Sequence, residues 1–526
     1  MRVIITEPIA KNGIELLEQE CEVECIWNIP REDLLKKIDQ YDGMIVRSYT
    51  MVDDELLNKA HRLKVVGRAG NGIDNIDLDS ATRRGVIVTN SPDGNSVAAA
   101  EHTIALILSQ CRNIPRASSH MEAGGWKKKE FEGIELKGKT VGIIGLGRIG
   151  TLVAERLASF GCTLIAYDPY ISSKRFEKAG VKSKEALSDL LKEADVITIH
   201  TPRTEETLGM IGKEEFELMK EGVRIVNCAR GGIIQEKALK EAIESEKVAS
   251  AGLDVFEEEP VRGHELCRLS QVVATPHIGA ATKEAQEALG LSIARQVLSA
   301  MKGEMVTHAV NLPTLPGREL EALRPHMQVA EQMGKLYFQL SPGRIEEVDV
   351  SFGGELSDKD TRMITISFLK GLLETILKER VNYVNAPFLA ENMGIRVAEN
   401  QDGDAGDYAN LMRFRVRGKA SESVLAGTVF GRTDGRIVEL MGYKVDVSPS
   451  RYMLFVENRD QPGMIGAVGM VLGKNGINIA SMQVGRQEVG SDALMILNVD
   501  NPMSGKEIEE IEDVKGIVDA RFIKLS

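Results

Sequence analysis

Aromatic residues are scarce in this chain, at 5% with two tryptophans, so its cores have to be built mainly from Val, Ile, Leu, Ala and Met. Cysteine is sparse and scattered. The six, Cys21, Cys25, Cys111, Cys162, Cys228 and Cys267, form no CxxC pair and no metal-ligand spacing. That argues against a zinc module or a disulfide framework, and no metal is expected. Free thiols in a long acidic chain suit a reducing cytoplasm. Positive charge is in deficit: 65 Lys and Arg against 78 Asp and Glu leave a net charge of −13. Such a balance disfavours a general nucleic-acid or membrane-surface binder, so neither partner is expected. It leaves room for an anionic substrate, because a few arginines can dominate the field inside a cleft. No run of about 18 apolar residues offers a membrane span. The opening MRVIITEPIA reads as a short strand and lacks the apolar core of a signal peptide. A cytoplasmic location is expected.

At 526 residues the chain is too long for one core. Its first 95 residues alternate short apolar runs (3–8, 43–48, 63–70, 86–90) with amphipathic segments (12–20, 31–39). This predicts a parallel sheet with helices on both faces. A turn cluster at 91–95 leads into a long helix at 96–111, with Asn95 or Ser96 as N-cap and Glu101 in the opening turns. A second strand–helix series begins at TVGIIGLGRIG (140–150), with later strands at 163–168, 195–200, 223–229, 249–256 and 272–279, followed by a helix from Thr282 to Met301. NLPTLPG (311–317) reads as a linker. Beyond it, strands at 348–352, 412–418 and 435–440 flank a helix at 365–378. The last 75 residues run strand, helix, strand, strand, helix, strand, the order of a small ferredoxin-like domain.

GLGRIG (145–150) has GxGxxG spacing, a weak signal alone. Here VGII precedes it as a strand, TLVAERLASFG follows as a helix, and TLIAYD ends in Asp168, 18 residues beyond the last glycine. That context is the dinucleotide fingerprint. Gly145 allows the tight turn, Gly147 lets the backbone approach a pyrophosphate, and Gly150 permits close helix–strand packing. The helix opening at Arg148 and Ile149 offers N–H groups to phosphate. Asp168 would accept bonds from a ribose 2′-hydroxyl and repel a 2′-phosphate, favouring NAD over NADP.

Three later segments each follow an apolar strand, where ligands of open α/β sheets bind: NCARGG (227–232), DVFEEEP (254–260) and TPHIGAAT (275–282). Oxidation of a 2-hydroxy acid needs a base for the hydroxyl proton and a cation for the carboxylate. His277 suits the first, and Arg230 the second. A carboxylate beside the imidazole would fix its tautomer, and Glu257, Glu258 and Glu259 are all candidates. His102 and His200 occupy comparable contexts, and a lone histidine after a strand is more often structural.

The run from GKTVGIIGLGRIG through NCARGG and DVFEEEP to TPHIGAAT closely resembles the D-isomer-specific 2-hydroxyacid dehydrogenases. The resemblance implies that Arg230 and His277 are catalytic and selects Glu259, which directly precedes the proline, as the third member. It implies dinucleotide contacts at Thr201, Cys228, Ala229, Asp254 and Gly279. IVRSYT (45–50) and GRAGNGIDNID (67–77) match the family's substrate loops. Gly70, Asn71 and Gly72 could then form a backbone nest for a carboxylate. Arg47, Ser48 and Arg68 would meet a second anionic group such as phosphate.

NRDQPGMIGAVGMVLGKNGINIASMQVGR (458–486) resembles an ACT domain, an amino-acid-sensing module, and YVNAPFLAENMGIRV (383–397) resembles the intervening domain of the longer family members. ACT-bearing members of this family oxidise 3-phosphoglycerate. The resemblance therefore implies that substrate, with L-serine as a possible effector at Asn458, Asp460 and Asn478. Some members carry histidine where Asn458 stands. A homo-oligomer, dimer or tetramer, is expected by family analogy. The expected architecture is α/β: two doubly wound parallel-sheet domains, substrate-binding (1–97 and 288–312) and Rossmann (98–287). An α+β intervening domain (313–449) and a ferredoxin-like ACT domain (452–526) follow. The alternatives are a reductase of glyoxylate, hydroxypyruvate or another 2-oxo acid on the same fold, and a NAD-sensing corepressor-like binding protein.

Overall fold

The apolar runs of the first 95 residues become the strands of a parallel sheet. They are β1 (Arg2–Ile5), β2 (Glu22–Cys25), β3 (Gly43–Val46), β4 (Val65–Arg68) and β5 (Ile87–Asn90), in the order β2-β1-β3-β4-β5. β1 pairs in parallel with β2 and β3. Every residue of β3 is buried, as expected of a strand covered on both faces. β2 is missing from the sequence reading. It is a partly exposed edge strand, EVEC, whose two glutamates hide the pattern. The computed structural model describes residues 1–525 apart from 93, 305, 314, 316, 378–379, 420–421 and 487–490. Asp93 of the expected turn, Thr314 and Pro316 of the expected linker, and residue 378 of an expected helix lie outside the described residues.

The second sheet holds β6 (Thr140–Ile144), β7 (Thr163–Tyr167), β8 (Lys182–Ser183), β9 (Val196–Ile199), β10 (Val223–Asn227), β11 (Val248–Leu253) and β12 (Val272–Ala274). Its order is β12-β11-β10-β9-β6-β7-β8, and all its pairings are parallel. The order reverses between β6 and β9, which places the switch point at the carboxyl ends of those two strands. The helix Ser96–Cys111 buries Leu106, Ile107 and Cys111 against the core beside this sheet. Asn95 occupies its N-cap position, but its side chain makes no capping hydrogen bond and the first turn carries no acid. Glu101 lies in the second turn, within the opening turns as expected.

The helix Lys283–Met301 starts under a real cap, the Thr282 side chain accepting from Ala285 N at 3.2 Å. It returns to the first sheet. Gln296 Nε2 donates to Asn90 O at 2.8 Å, and Thr89 Oγ1 donates to Gln296 Oε1.

By packing, the chain divides into two units. Met1–Val52, Val66–Ile76 and Thr89–Glu304 form the first, and Asp53–Val65, Asp77–Val88 and Met305–Ser526 the second.

The second unit contains a mixed sheet of β13 (Ile345–Gly354), β14 (Arg396–Gly403), β15 (Asn410–Gly418), β16 (Glu422–Phe430), β17 (Asp434–Leu440) and β18 (Tyr443–Val447), ordered β14-β13-β15-β16-β17-β18. Only β13 and β14 run parallel among the pairs in it. The sequence reading lacks a helix at Gly317–Leu340, 24 residues long, because Pro325 lies inside it. A proline there costs about 3 kcal/mol, and burial of Met327, Ala330, Met333, Leu336 and Tyr337 beyond it offsets that. This helix meets Arg362–Ile376 at Gly334 and Gly371, where a Cβ would stand 2.2 and 2.0 Å from the facing backbone. The last sheet, β19 (Tyr452–Arg459), β20 (Ile479–Arg486), β21 (Asp492–Val499) and β22 (Ile517–Lys524), is antiparallel in the order β20-β21-β19-β22, with helices Met464–Lys474 and Gly505–Glu512. Among the described residues no helix is long and apolar enough to cross a membrane.

Phe368 and Phe414 stack face to face with centroids 4.1 Å apart, both fully buried. Phe368→Ala is expected to cost about 3–5 kcal/mol, read as a lower midpoint of denaturant unfolding. A loss below about 1 kcal/mol would show that the sheet–helix core does not depend on this pair.

Candidate active site

The site lies wholly in the first unit, beyond the carboxyl ends of the strands. After β11 the chain turns through 254–260, and after β12 through 275–282. Glu259 Oε2 accepts from, or shares a proton with, His277 Nδ1 at 2.7 Å, while Glu259 Oε1 accepts from Phe256 N at 3.1 Å. Glu259 precedes Pro260 across a cis peptide bond. Burial works to raise the Glu259 carboxyl. Its bond to His277, the charge of that ring and the Phe256 N–H outweigh burial and leave it below the ordinary value. Glu257 instead accepts from Glu236 N at 3.2 Å, away from the imidazole. Of the three candidate glutamates, Glu259 is the one hydrogen-bonded to the imidazole. With Nδ1 engaged, Nε2 is the nitrogen available to a substrate.

His277 has φ of +54°, a left-handed conformation that a non-glycine residue adopts at a cost. Asp254 holds it there. Its Oδ1 accepts from Ile278 N at 2.8 Å and Thr275 Oγ1 at 2.6 Å, and its Oδ2 accepts from Gly279 N at 2.8 Å. His102 Nε2 lies 3.0 Å from Thr275 Oγ1 and 3.3 Å from Asp254 Oδ1. Burial pushes the Asp254 carboxyl up, and these four partners more than reverse it. Asp254 and Gly279, expected to touch a dinucleotide, are buried, and both Asp254 oxygens are taken up by the turn at 275–279.

Arg230 follows β10. Its Nε donates to Asp74 Oδ2 at 3.2 Å and its Nη1 to Ala229 O at 2.6 Å. Asn227 steadies the turn, donating from Nδ2 to Arg230 O at 2.8 Å and accepting from Ala229 N at 2.9 Å. Arg230, His277 and Glu259 line one cavity of about 360 Å³ with Arg47, Ser48, Arg68, Gly70, Asn71 and Gly72, so the structure brings together all of the expected catalytic and substrate residues. Arg68 Nη2 donates to Ser48 Oγ at 3.0 Å, and its buried Nε has no partner among the described residues. Burial, together with Arg230 and Arg47, brings the Arg68 guanidinium down to about 10, so it stays charged at neutral pH. The expected nest is incomplete. The Gly70 N–H is spent on Arg68 O at 2.8 Å, leaving Asn71 and Gly72.

The loop 47–50 is held by residues that no motif in the sequence marks. Glu7 accepts from the backbone N–H of Arg47, Ser48, Tyr49 and Thr50 at 2.9 to 3.3 Å. Asn75 Nδ2 donates to Arg47 O at 2.9 Å and Thr50 O at 2.7 Å. The available signal was position: Glu7 sits two residues past β1, and Asp74-Asn75 close the second substrate loop.

The nucleotide-side cavity, about 640 Å³, is lined by Gly145, Gly147, Asp168, Tyr170, His200 and Thr201, among others. Gly145 has φ of +88°, and a Cβ on Gly150 would stand 2.2 Å from Gly145 O. Above Gly147 a Cβ would meet nothing within 4 Å, which leaves the N-terminus of Arg148–Ala158 open to a phosphate. Asp168 accepts from Leu146 N at 2.9 Å and Tyr170 N at 3.0 Å, tying the glycine turn to β7. Thr201 Oγ1 is buried without a partner among the described residues, an unfilled demand that a polar ligand would meet. These features fit NAD. Ile149 packs inward on the core, and burial pushes the Cys228 thiol up to about 12. Among the described residues no side-chain cluster could hold a metal ion.

In the C-terminal sheet, Asn458 is 3% exposed, donates to Arg459 O at 2.9 Å and leaves its Oδ1 without a partner among the described residues. Asp460 pairs with Arg486 at 3.4 Å, and Asn478 donates to Asp500 at 2.7 Å.

Three family models match the chain: the NAD-binding domain of D-isomer-specific 2-hydroxyacid dehydrogenases at 104–279, the intervening domain of D-3-phosphoglycerate dehydrogenase at 322–441, and the ACT domain at 452–516. Proteins named D-3-phosphoglycerate dehydrogenase from Methanocaldococcus jannaschii and Archaeoglobus fulgidus are 42% and 43% identical, with the whole of each chain covered. The Bacillus subtilis protein of that name is 40% identical over all of this chain and 99% of its own. Among solved structures, the TT0316 protein of Thermus thermophilus matches at TM-score 0.56 and 33% identity, covering 59% of this chain and 100% of its own. The Aquifex aeolicus D-lactate dehydrogenase complexed with NAD and lactic acid matches at TM-score 0.52 and 29% identity, covering 58% and 96%.

Burial raises the Glu7 carboxyl, and its backbone bonds outweigh burial, leaving it below its ordinary 4.5. A carboxyl depressed in the folded state contributes stability above its unfolded value and loses it as pH falls through the folded one. The stability gap between wild type and Glu7→Gln is therefore expected to be full above about pH 4.5 and to close below it. Denaturant unfolding across pH 7 to 3 reads this, and a constant gap would refute it.

Proposed function

This chain belongs to the D-isomer-specific 2-hydroxyacid dehydrogenases, in their D-3-phosphoglycerate dehydrogenase branch, and we propose that it oxidises 3-phospho-D-glycerate to 3-phosphohydroxypyruvate with NAD, opening L-serine synthesis. The observation that carries this reading is the convergence of the His277–Glu259 pair and three guanidiniums, Arg47, Arg68 and Arg230, on one cavity.

The substrate carboxylate binds Arg230, which also draws electron density from the forming carbonyl. Nε2 of His277 accepts the hydroxyl proton, and the Glu259 carboxylate stabilises the resulting imidazolium through Nδ1. Bound NAD supplies the acceptor for the hydride that leaves the same carbon. Arg68, held by Ser48, and Arg47 take the phosphate. Asp168 selects NAD by accepting from a ribose hydroxyl where a 2′-phosphate would be repelled. In this reading 1–97 with 288–312 form the substrate lobe and 98–287 the cofactor lobe. Segment 313–449 is the intervening domain and 452–526 the ACT domain. L-serine binds at Asn458, Asp460 and Asn478, where the unpartnered Asn458 Oδ1 offers an acceptor. The protein works as a cytoplasmic homo-oligomer. The three guanidiniums lining one cavity and the ACT module favour this reading over a 2-oxo acid reductase or a NAD-sensing corepressor.

NADH formation is expected to be strongly preferred with 3-phosphoglycerate over glycerate and D-lactate, and to respond to L-serine. Equal rates for the phosphorylated and unphosphorylated acids would sink the substrate assignment. His277→Ala is expected to abolish turnover, by at least about a hundredfold, while NAD binding by fluorescence titration is retained. Preserved turnover would remove His277 from its role.

A further inference from the structure

Arg230 has five N–H donors, and the protein spends two of them on itself. Nε donates to Asp74 Oδ2 at 3.2 Å and Nη1 to Ala229 O at 2.6 Å. Nη2 makes no hydrogen bond among the described residues. It lies over the bare backbone of Gly72, where a Cβ would stand 2.0 Å away. The same turn carries Asn75, which straps down the loop bearing Arg47. Gly72, Asp74 and Asn75 thus place one arginine's guanidinium and another's backbone from a single segment.

The charges of the cavity single out Asp74 further. Glu7 is saturated by four backbone N–H groups and Glu259 by His277 and Phe256 N. Asp74 is half exposed and pairs with a cation that faces the cavity. It touches neither of the residues that move the proton.

We propose that Asp74 is a positioning residue for hydroxy-acid binding, holding the Nε edge of Arg230 so that Nη2 and one N–H of Nη1 are presented to the substrate carboxylate. The two-point contact of a guanidinium with a carboxylate demands coplanarity, and a long side chain loses rotamer entropy to achieve it. An orienting bond made before substrate arrives lowers that cost. The substrate then takes the free edge and leaves the Asp74 bond in place. Gly72 is the complement of this arrangement, since any side chain there would fill the space of Nη2. This inference rests on the dehydrogenase reading given above and adds to it the residue that sets the carboxylate subsite.

The test compares wild type, Asp74→Asn and Asp74→Ala in steady state with 3-phosphoglycerate and NAD. Asp74→Ala is expected to raise KM for the acid roughly tenfold, the scale of one hydrogen bond to a charged group. Its kcat should fall less, and its KM for NAD should change less than about twofold. Asp74→Asn keeps an oxygen acceptor and is expected to recover most of the acid KM. An unchanged or lowered KM in Asp74→Ala overturns the proposal, because the carboxylate would then compete with substrate. A KM in Asp74→Asn as poor as in Asp74→Ala also overturns it, since charge and not orientation would be at work. If wild type itself does not oxidise 3-phosphoglycerate, the function reading fails. The same variants are then compared with NADH and hydroxypyruvate, which presents the same carboxylate, under the same criteria. Unfolding midpoints and NADH titration of each variant separate a folding defect from a binding one.

Discussion

Asp254 is shut off from solvent, yet the position of the His277 imidazole depends on it. It gathers the backbone N–H groups of Ile278 and Gly279 and the hydroxyl of Thr275, and so forces the chain through a left-handed residue at His277. A carboxylate in so dry a place is tolerable only because every one of its oxygens is satisfied. That satisfaction is also what stores the strain at His277, which a looser turn would release. Glu259 then acts from the other side, fixing the ring by Nδ1. The two acids divide the work: the buried one sets the backbone, and the half-buried one sets the ring.

The electrostatics run against the average of the chain. A net charge of −13 surrounds a cavity lined by three arginines. The nearby carboxylates keep their charge, but their oxygens are engaged by backbone N–H groups, an imidazole or a guanidinium Nε, whereas the three guanidiniums line the cavity. Cations gathered in a cleft with low-dielectric walls attract an anion far more effectively than the whole-chain charge repels it. Arg68 shows the tension in this design. Burial and its two arginine neighbours weaken its hold on its proton, and an anion bound among the three would offset the repulsion between them.

The legible parts of the fold were those with a local cause. The helix Ser96–Cys111 and the strands of the second sheet stood where apolar runs and turn residues placed them. The glycine turn was readable because each glycine answers a separate steric demand. The helix Gly317–Leu340 was not, since Pro325 signals a break and only the packing of its far half overrides that signal. β2 was hidden because an edge strand need not be apolar. Asn95 occupied the position of a cap without acting as one, which no pattern of residue types reveals.

By itself the sequence determined the chemistry on offer: a histidine, an arginine and a glutamate beyond successive parallel strands, and a dinucleotide turn with its acid. Those follow from residue type and from spacing along the chain, both of which are local. Only the tertiary structure decided which of three glutamates meets His277, that Gly70 has no free N–H for a nest, and that Glu7 and Asp74 belong to the site. Each of these depends on hydrogen bonds between segments far apart in sequence, 156 residues apart for Asp74 and Arg230. Such pairings are set by how helices and sheets pack, and packing leaves no period in the sequence to read.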